Sequence, residues 1–264
     1  MKVSANGVSL HYAVNGHGPW LTLAHPLGAD LTIWDDFVPA LAEHYTVLRY
    51  DSRGHGHSQV TIGPYTIEQL AADAAALLSA LEIPRTHFAG VSMGGAVAQQ
   101  LALDAPERIT SLILIDTTAG YDPADAATLE QRAVIARAGG MKDLVDGTLT
   151  RWLTERFRHH EREATERIRQ RFLTTSTEGF AASCEALQGF DIRERLGEIE
   201  APTLVLVGEH DPSTPVATAK LIADGIPGAR LTVIPDAAHL SIAEQKQFVT
   251  KALATFLNAD ASNV

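Results

Sequence analysis

The sequence is short of cysteine, of long apolar runs and of positive charge. Its single cysteine cannot form a disulfide within the chain. No stretch approaches the roughly 18 uninterrupted apolar residues of a membrane span, and the first residues lack the basic and apolar regions of a signal peptide. The formal net charge of -11 disfavours binding to nucleic acid or to an anionic membrane surface. We therefore expect a cytoplasmic protein without either partner, and the sequence leaves assembly into a homo-oligomer open.

The chain of 264 residues, 45% hydrophobic, is long enough to bury one substantial core. Short apolar runs predict strands, and Ala- and Leu-rich runs between them predict helices, which is typical of an α/β protein with a mostly parallel sheet. The predicted strands are Val8–Val14, Trp20–His25, Tyr45–Tyr50, Thr86–Val91, Leu112–Ile115, Thr203–Val207 and Leu231–Ile234, and the predicted helices are Thr66–Leu81, Gly94–Leu103 and Glu244–Leu257. The turn residues 15–19 predict that the first two strands form a hairpin.

The stretch 116–199 differs from the rest because helical patterns follow one another there without a convincing strand. It predicts a helical lid, residues 119–199, inserted into a single α/β core made of residues 1–118 and 200–264. The polar end, residues 258–264, is expected to fray.

A candidate nucleophile, Ser92, lies in a Gly-x-Ser-x-Gly motif between an apolar strand and an Ala-rich helix. This context predicts a tight strand-to-helix turn in which Gly90 and Gly94 leave room for neighbouring chain. The first amides of the helix would point at the serine, so the Met93 N–H is the first expected oxyanion donor. The Leu27 N–H, in the turn after an earlier strand, is the second expected donor.

A candidate base and acid follow Ser92 in the chain order Ser, acid, His that such a turn uses. Among 11 histidines, His239 is favoured because it follows the last strand and a turn. Asp211 lies just beyond an apolar strand and is the favoured acid, while Asp116, which also follows a strand, is the serious rival. Glu209 and Asp236 are weaker candidates. Such a triad points to acyl transfer through a covalent serine intermediate.

A second polar cluster, Asp51 with His55 and His57, lies in a glycine-rich run. Metal binding is one interpretation of these residue types, but the glycines favour a structural turn. The sequence predicts neither a metal nor a cofactor.

Five passages together resemble one known family: Leu48-Arg49-Tyr50-Asp51-Ser52-Arg53-Gly54-His55-Gly56, Gly90-Val91-Ser92-Met93-Gly94-Gly95, Arg137-Ala138-Gly139-Gly140-Met141, Ala201-Pro202-Thr203-Leu204-Val205 and Ala238-His239-Leu240-Ser241. From residue 1 to about residue 257 the chain resembles the α/β-hydrolase superfamily, and in particular the 3-oxoadipate enol-lactonases. The resemblance implies the α/β-hydrolase fold. It also implies hydrolysis of a five-membered enol-lactone that carries a carboxylate, a reaction of bacterial aromatic catabolism.

Two departures from that family concern the substrate. His25-Pro26 stands where the family often has Asn-Ser before Leu-Gly, and Ile242 stands where it often has Asn. The first departure would change the wall of the substrate pocket, so His25 is predicted to contact substrate.

A carboxylate on the substrate would need a cation, which Arg137, Arg151 or Arg156 of the predicted lid could supply. Of these, Arg137 belongs to the passage most specific to the family. Trp34 and Trp152 are further predicted pocket residues, although a lone tryptophan is more often a packing residue.

The same triad would serve other reactions, because a fold does not determine its substrate. A general carboxylesterase, a carbon-carbon bond hydrolase and a cofactor-free perhydrolase are alternatives within the enzyme class. A ligand-binding protein that retains the fold without catalysis is an alternative outside it.

Overall fold

The computed structural model describes residues 1–261, with side chains up to Asn258, so part of the predicted C-terminal tail lies outside the described residues. The described chain forms an eight-stranded sheet with helices on both faces. Its strands are β1 (Lys2–Ala5), β2 (Val8–Asn15), β3 (Trp20–Ala24), β4 (Thr46–Tyr50), β5 (Thr86–Val91), β6 (Ile109–Ile115), β7 (Thr203–Gly208) and β8 (Arg230–Ile234).

The sheet order is β1-β2-β4-β3-β5-β6-β7-β8, and every pair from β4 onward is parallel. Strands β5 and β7 are buried along their whole length, which explains why they appear in the sequence as continuous apolar runs rather than alternating ones. No helix within residues 1–261 is long and apolar enough to cross a membrane.

The predicted hairpin between the first two predicted strands is wrong. The hairpin partner of β2 is β1, with Ala5 opposite Val8, and β2 then pairs antiparallel with β4, whereas β3 lies between β4 and β5. The turn is Asn6-Gly7, and both residues have positive φ, 47° and 75°. Asn-Gly is the strongest short hairpin signal, because a two-residue turn of this hand needs positive φ at both positions.

The helices are α1 (Val38–Leu41), α2 (Ile67–Ala80), α3 (Met93–Asp104), α4 (Pro123–Gly139), α5 (Val145–Trp152), α6 (Glu155–His160), α7 (Arg162–Leu173), α8 (Thr177–Gln188), α9 (Val216–Gly225), α10 (Ser241–Glu244) and α11 (Lys246–Ala261). Helices α4 to α8 lie between β6 and β7 in the chain. They form the helical insertion, which falls within residues 119–199, the segment predicted to be a lid.

The carboxyl ends of the parallel strands bring distant loops to one edge of the sheet. Ser92 follows β5, Asp116 follows β6, Asp211 follows β7, and His239 follows β8, while Leu27 follows β3. The helical insertion begins at this same edge, because it leaves from the end of β6.

Candidate active site

Ser92 lies on the turn between β5 and α3 with φ 51° and ψ -114°, a backbone conformation that residues other than glycine rarely adopt. The flanking glycines make the turn sterically feasible. A Cβ at Gly90 would lie 2.2 Å from the Gly94 carbonyl oxygen, and a Cβ at Gly94 would lie 2.5 Å from the Ala24 carbonyl oxygen. Thr117 Oγ1 donates a hydrogen bond to the Ser92 carbonyl at 2.7 Å. The turn is therefore closely packed at both glycines, and the Thr117 hydrogen bond holds its main chain.

The side chains of Ser92, His239 and Asp211 form a continuous chain of hydrogen bonds. Ser92 Oγ lies 3.0 Å from His239 Nε2, and His239 Nδ1 lies 2.8 Å from Asp211 Oδ2. Asp211 also accepts hydrogen bonds from the Ser213 and Thr214 amides and from the Thr214 hydroxyl. An acceptor-only Asp211 makes His239 Nδ1 the donor, which leaves Nε2 free to accept the serine proton.

Burial and charge oppose each other in this pair. Burial by itself lowers the pKa of His239, but the charge of Asp211 and its hydrogen bond raise it more, so the net pKa lies above its ordinary value of 6.5. Burial by itself raises the pKa of Asp211, but His239 and the Thr214 hydrogen bonds bring it below the ordinary value. Asp211 is therefore the ionised partner at neutral pH.

The rival acid, Asp116, lies nearby but binds the main chain. Its Oδ1 accepts from the Gly208 amide at 2.9 Å, and its Oδ2 accepts from the Ser241 amide at 3.0 Å and the Ser241 hydroxyl at 2.6 Å. Complete burial, and then the charge of Asp211, raise its pKa to about 7. Asp116 thus ties together the loops that carry Asp211 and His239.

The two expected oxyanion donors belong to residues beside Ser92. Met93 N–H is the first amide of α3, and Leu27 lines the cavity beside Ser92. Within residues 1–261, the structure gives neither amide a hydrogen-bond acceptor. Two buried donors without a partner can bind a negatively charged oxygen.

A cavity of about 140 Å³ opens at Ser92 and His239 and reaches the helical insertion. Trp152 lines it as expected, and so does Arg151. Arg132 and Tyr121 also line it and were not predicted from the sequence. Burial, and then the positive charge of Arg132, lower the pKa of Arg151 to about 10.

A periodic signal for Arg132 is present in α4. Four cavity-lining residues, Asp125, Thr128, Leu129 and Arg132, are spaced at i, i+3, i+4 and i+7, which is one face of a helix. Which face of α4 meets the cavity depends on how the helix packs relative to the sheet. No short segment of the sequence determines that packing.

Arg137, on another face of α4, is not at the cavity. Its guanidinium donates to Glu178 Oε1 at 3.0 Å and also binds Glu185, so it joins α4 to α8 at the surface. The expectation that Arg137 contacts substrate is therefore corrected. Arg156 lies in a separate surface groove that does not include Ser92 or His239.

Two other expected pocket residues are also placed elsewhere. Trp34 is completely buried and packs edge-to-face on Phe37, with 5.5 Å between ring centroids. His25 is completely buried, and its Nδ1 lies 2.8 Å from the Pro26 carbonyl oxygen. Neither side chain lines the cavity, since both are enclosed in the protein interior.

The cluster around Asp51 forms a structural turn. Asp51 accepts hydrogen bonds from the Leu31 and His57 amides, and its Oδ2 lies 2.8 Å from His11 Nδ1. Within the described residues, no group of three or more His, Cys, Asp or Glu side chains is arranged to hold a metal ion.

A strained serine turn, a hydrogen-bonded Ser-His-Asp chain and two free amides on a mostly parallel sheet define a hydrolase-type site. The sequence profile of the α/β hydrolase fold matches residues 19–245, so the chain belongs to the α/β-hydrolase family. The predicted fold class and family resemblance are thereby confirmed.

Individual relatives give a more specific comparison than the family as a whole. The chain is 37% identical to 3-oxoadipate enol-lactonase 2 of Acinetobacter baylyi over 93% of its own length and 91% of the relative's. It is 32% identical to RutD of Azorhizobium caulinodans, provisionally named a carbamate hydrolase, over 87% of this chain and 88% of that one. The crystal structure of an enol-lactonase from Burkholderia xenovorans superposes with a TM-score of 0.94 at 40% identity, covering 98% of this chain and all of that one.

Proposed function

We propose that this hydrolase cleaves a small lactone or carboxylic ester that carries a carboxylate, most like a 3-oxoadipate enol-lactone, through an acyl-enzyme at Ser92. The observation that carries the proposal is the hydrogen-bonded chain of Ser92, His239 and Asp211, whose serine and histidine line a cavity together with two arginines. The enol-lactonase relatives support the same substrate class.

In the proposed reaction, His239 Nε2 removes the Ser92 proton as Ser92 Oγ bonds to the substrate carbonyl carbon. The carbonyl oxygen becomes an oxyanion, which the Leu27 and Met93 amides stabilise. As the carbon-oxygen bond to the leaving oxygen breaks, His239 returns its proton to that oxygen. Water, deprotonated by His239, then releases the acyl group, and the proton returns to Ser92.

Arg132 and Arg151 supply the reason to expect an anionic substrate. Both line the cavity, and within residues 1–261 the structure pairs neither of them with a carboxylate. Arg151 instead donates to the Thr148 hydroxyl, and Arg132 stacks on Phe180. Two neighbouring cations without a counter-ion favour a ligand that brings one. Asp125 also lines the cavity but is exposed.

The test compares a carboxylate-bearing enol-lactone with a neutral lactone and a p-nitrophenyl ester. Loss of a charged hydrogen bond should lower kcat/KM about 10- to 100-fold for the anionic substrate in Arg132→Gln and Arg151→Gln, with little change for the neutral substrates. Arg137→Gln, on the same helix as Arg132 but outside the cavity, is the matched control. Equal losses on charged and neutral substrates would contradict the proposed substrate class.

A carbamate is the second candidate substrate, because RutD is a relative of this chain. A carbamate carbonyl would use the same serine and amides, but its leaving group is a nitrogen. Assaying carbamates beside lactones separates the two, and a higher kcat/KM on carbamates would favour the second candidate.

The general esterase, carbon-carbon bond hydrolase and perhydrolase alternatives are separated by the same substrate panel with added peracid detection. Non-catalytic ligand binding is separated by a fluorophosphonate, which labels an activated serine and should not label Ser92→Ala. Turnover that survives Ser92→Ala would contradict the proposed mechanism as a whole.

A further inference from the structure

Two histidines that the proposed reaction does not use lie behind the loop that carries Leu27. His25 and His55 are both completely buried, with 5.1 Å between ring centroids. His55 Nε2 accepts a hydrogen bond from the Gly28 amide at 3.1 Å, and His25 Nε2 accepts one from the Ser52 amide at 2.9 Å.

The partners of the other ring nitrogens fix the tautomer of each histidine. His25 Nδ1 lies 2.8 Å from the Pro26 carbonyl oxygen, and His55 Nδ1 lies 3.3 Å from the Arg53 carbonyl oxygen. A carbonyl only accepts and an amide N–H only donates, so both rings are neutral with the proton on Nδ1. Burial lowers the pKa of both histidines, and that of His55 falls to about 3.

These hydrogen bonds hold two successive peptide groups, the one that contains the Leu27 N–H and the one that follows it. The Pro26 carbonyl, which shares a peptide plane with the Leu27 N–H, accepts from His25 Nδ1 and from the Ala29 amide at 3.2 Å. The next peptide group is held through the Gly28 amide, which donates to His55. Because a peptide group is planar, the bonds to the Pro26 carbonyl set the direction of the Leu27 N–H, and the bond from Gly28 restrains the peptide group beside it.

We propose that His25 and His55 are positioning residues that aim the Leu27 amide at the substrate oxyanion. The inference rests on the proposed function, in which that amide stabilises the oxyanion. His25 is bonded to the peptide group of the Leu27 N–H itself, and His55 holds the peptide group that follows. His55 is chosen for the test because it lies in the glycine-rich run that the proposed reaction otherwise leaves without a role.

The experiment uses three variants of His55 in the full chain. The amide oxygen of His55→Gln can occupy the Nε2 position and accept from Gly28, whereas His55→Asn places its polar atoms at the Nδ1 position and His55→Leu has no acceptor. Exposed His57, in the same turn, provides the control His57→Leu. Thermal unfolding of each variant establishes that the folded protein is being assayed.

Loss of one oxyanion donor typically lowers kcat about 100-fold or more. We expect His55→Leu and His55→Asn to lower kcat at least about 10-fold while KM changes less than about threefold, because the substrate carbonyl gains its charge only in the transition state. His55→Gln should keep kcat within about fivefold of the original. Affinity for a trifluoromethyl ketone, which forms an oxyanion on Ser92, should fall in parallel with kcat, while affinity for the acid product should not.

Folded His55→Leu and His55→Asn variants with unchanged kcat would overturn the positioning role, as would equal losses in His55→Gln and His55→Leu. Parallel losses of kcat and product affinity would also overturn it, since a loosened cavity produces that result. The proposed function fails separately: it falls if Ser92→Ala retains turnover, whatever the His55 variants do.

Discussion

Replacing Ser92 with glycine should make the protein more stable than replacing it with alanine. Both variants lose the hydroxyl and its 3.0 Å hydrogen bond to His239, so both should be inactive. They differ in the backbone, because alanine keeps a Cβ at φ 51° and ψ -114° while glycine adopts this conformation without strain. The comparison therefore isolates strain in the backbone from loss of the side chain.

The magnitude follows from two opposing effects. A residue with a Cβ in such a conformation costs about 1–3 kcal/mol of folding free energy. Glycine returns about 0.5–1 kcal/mol of that difference, because its unfolded chain has more freedom to lose. The difference is about 0–2.5 kcal/mol, so we expect Ser92→Gly to exceed Ser92→Ala in free energy of unfolding by about 1 kcal/mol. For a chain of this size that raises Tm by roughly 2 °C.

Urea and thermal denaturation of the two variants, followed by circular dichroism, measure this difference. Ser79 in helix α2 provides a control with ordinary helical backbone, where glycine should be less stable than alanine by about 1 kcal/mol. If glycine were also the less stable residue at position 92, the turn would not be strained and the steric argument for Gly90 and Gly94 would be refuted.

Four further predictions concern the groups around Ser92. Neutral His239 is the active form and its pKa is raised, so kcat/KM should fall as pH decreases and reach half its maximum above pH 6.5. In Asp211→Asn, the His239 titration followed by NMR should move to lower pH and kcat should fall by about 10⁴-fold, and an unmoved titration would contradict the assigned pair. Asp116→Ala leaves three buried donors without an acceptor and should lower the free energy of unfolding by at least about 3 kcal/mol, measured in urea, and a loss below about 1 kcal/mol would contradict this. Glu244 accepts hydrogen bonds from the Ala238 amide and from the amide and hydroxyl of Thr154, so it joins the loop that carries His239 to the helical insertion. Glu244→Ala should therefore raise KM more than Glu244→Gln. Equal KM values in the two variants would show that the carboxylate does not hold the insertion to this loop.

Several features of the chain were contained in short segments of its sequence. The turn at Ser92 is one, because the glycines on both sides are needed by contacts within the turn and with the adjacent strand. The strand Thr86–Val91 was predicted with its observed bounds, since a strand buried on both faces gives an uninterrupted apolar run. The Asn6-Gly7 hairpin was equally local and was missed, because the short β1 carries little apolar pattern.

The tertiary structure decided the choices between residues of the same chemical type. Asp211 and Asp116 both follow buried strands, and only the three-dimensional arrangement places Asp211, rather than Asp116, within 2.8 Å of His239 Nδ1. Arg132 and Arg137 share one helix, and the rotation of that helix about its axis decides which of them meets the cavity. Steric limits on a turn act between neighbours in sequence, whereas the direction in which a helix face points depends on packing against residues far along the chain.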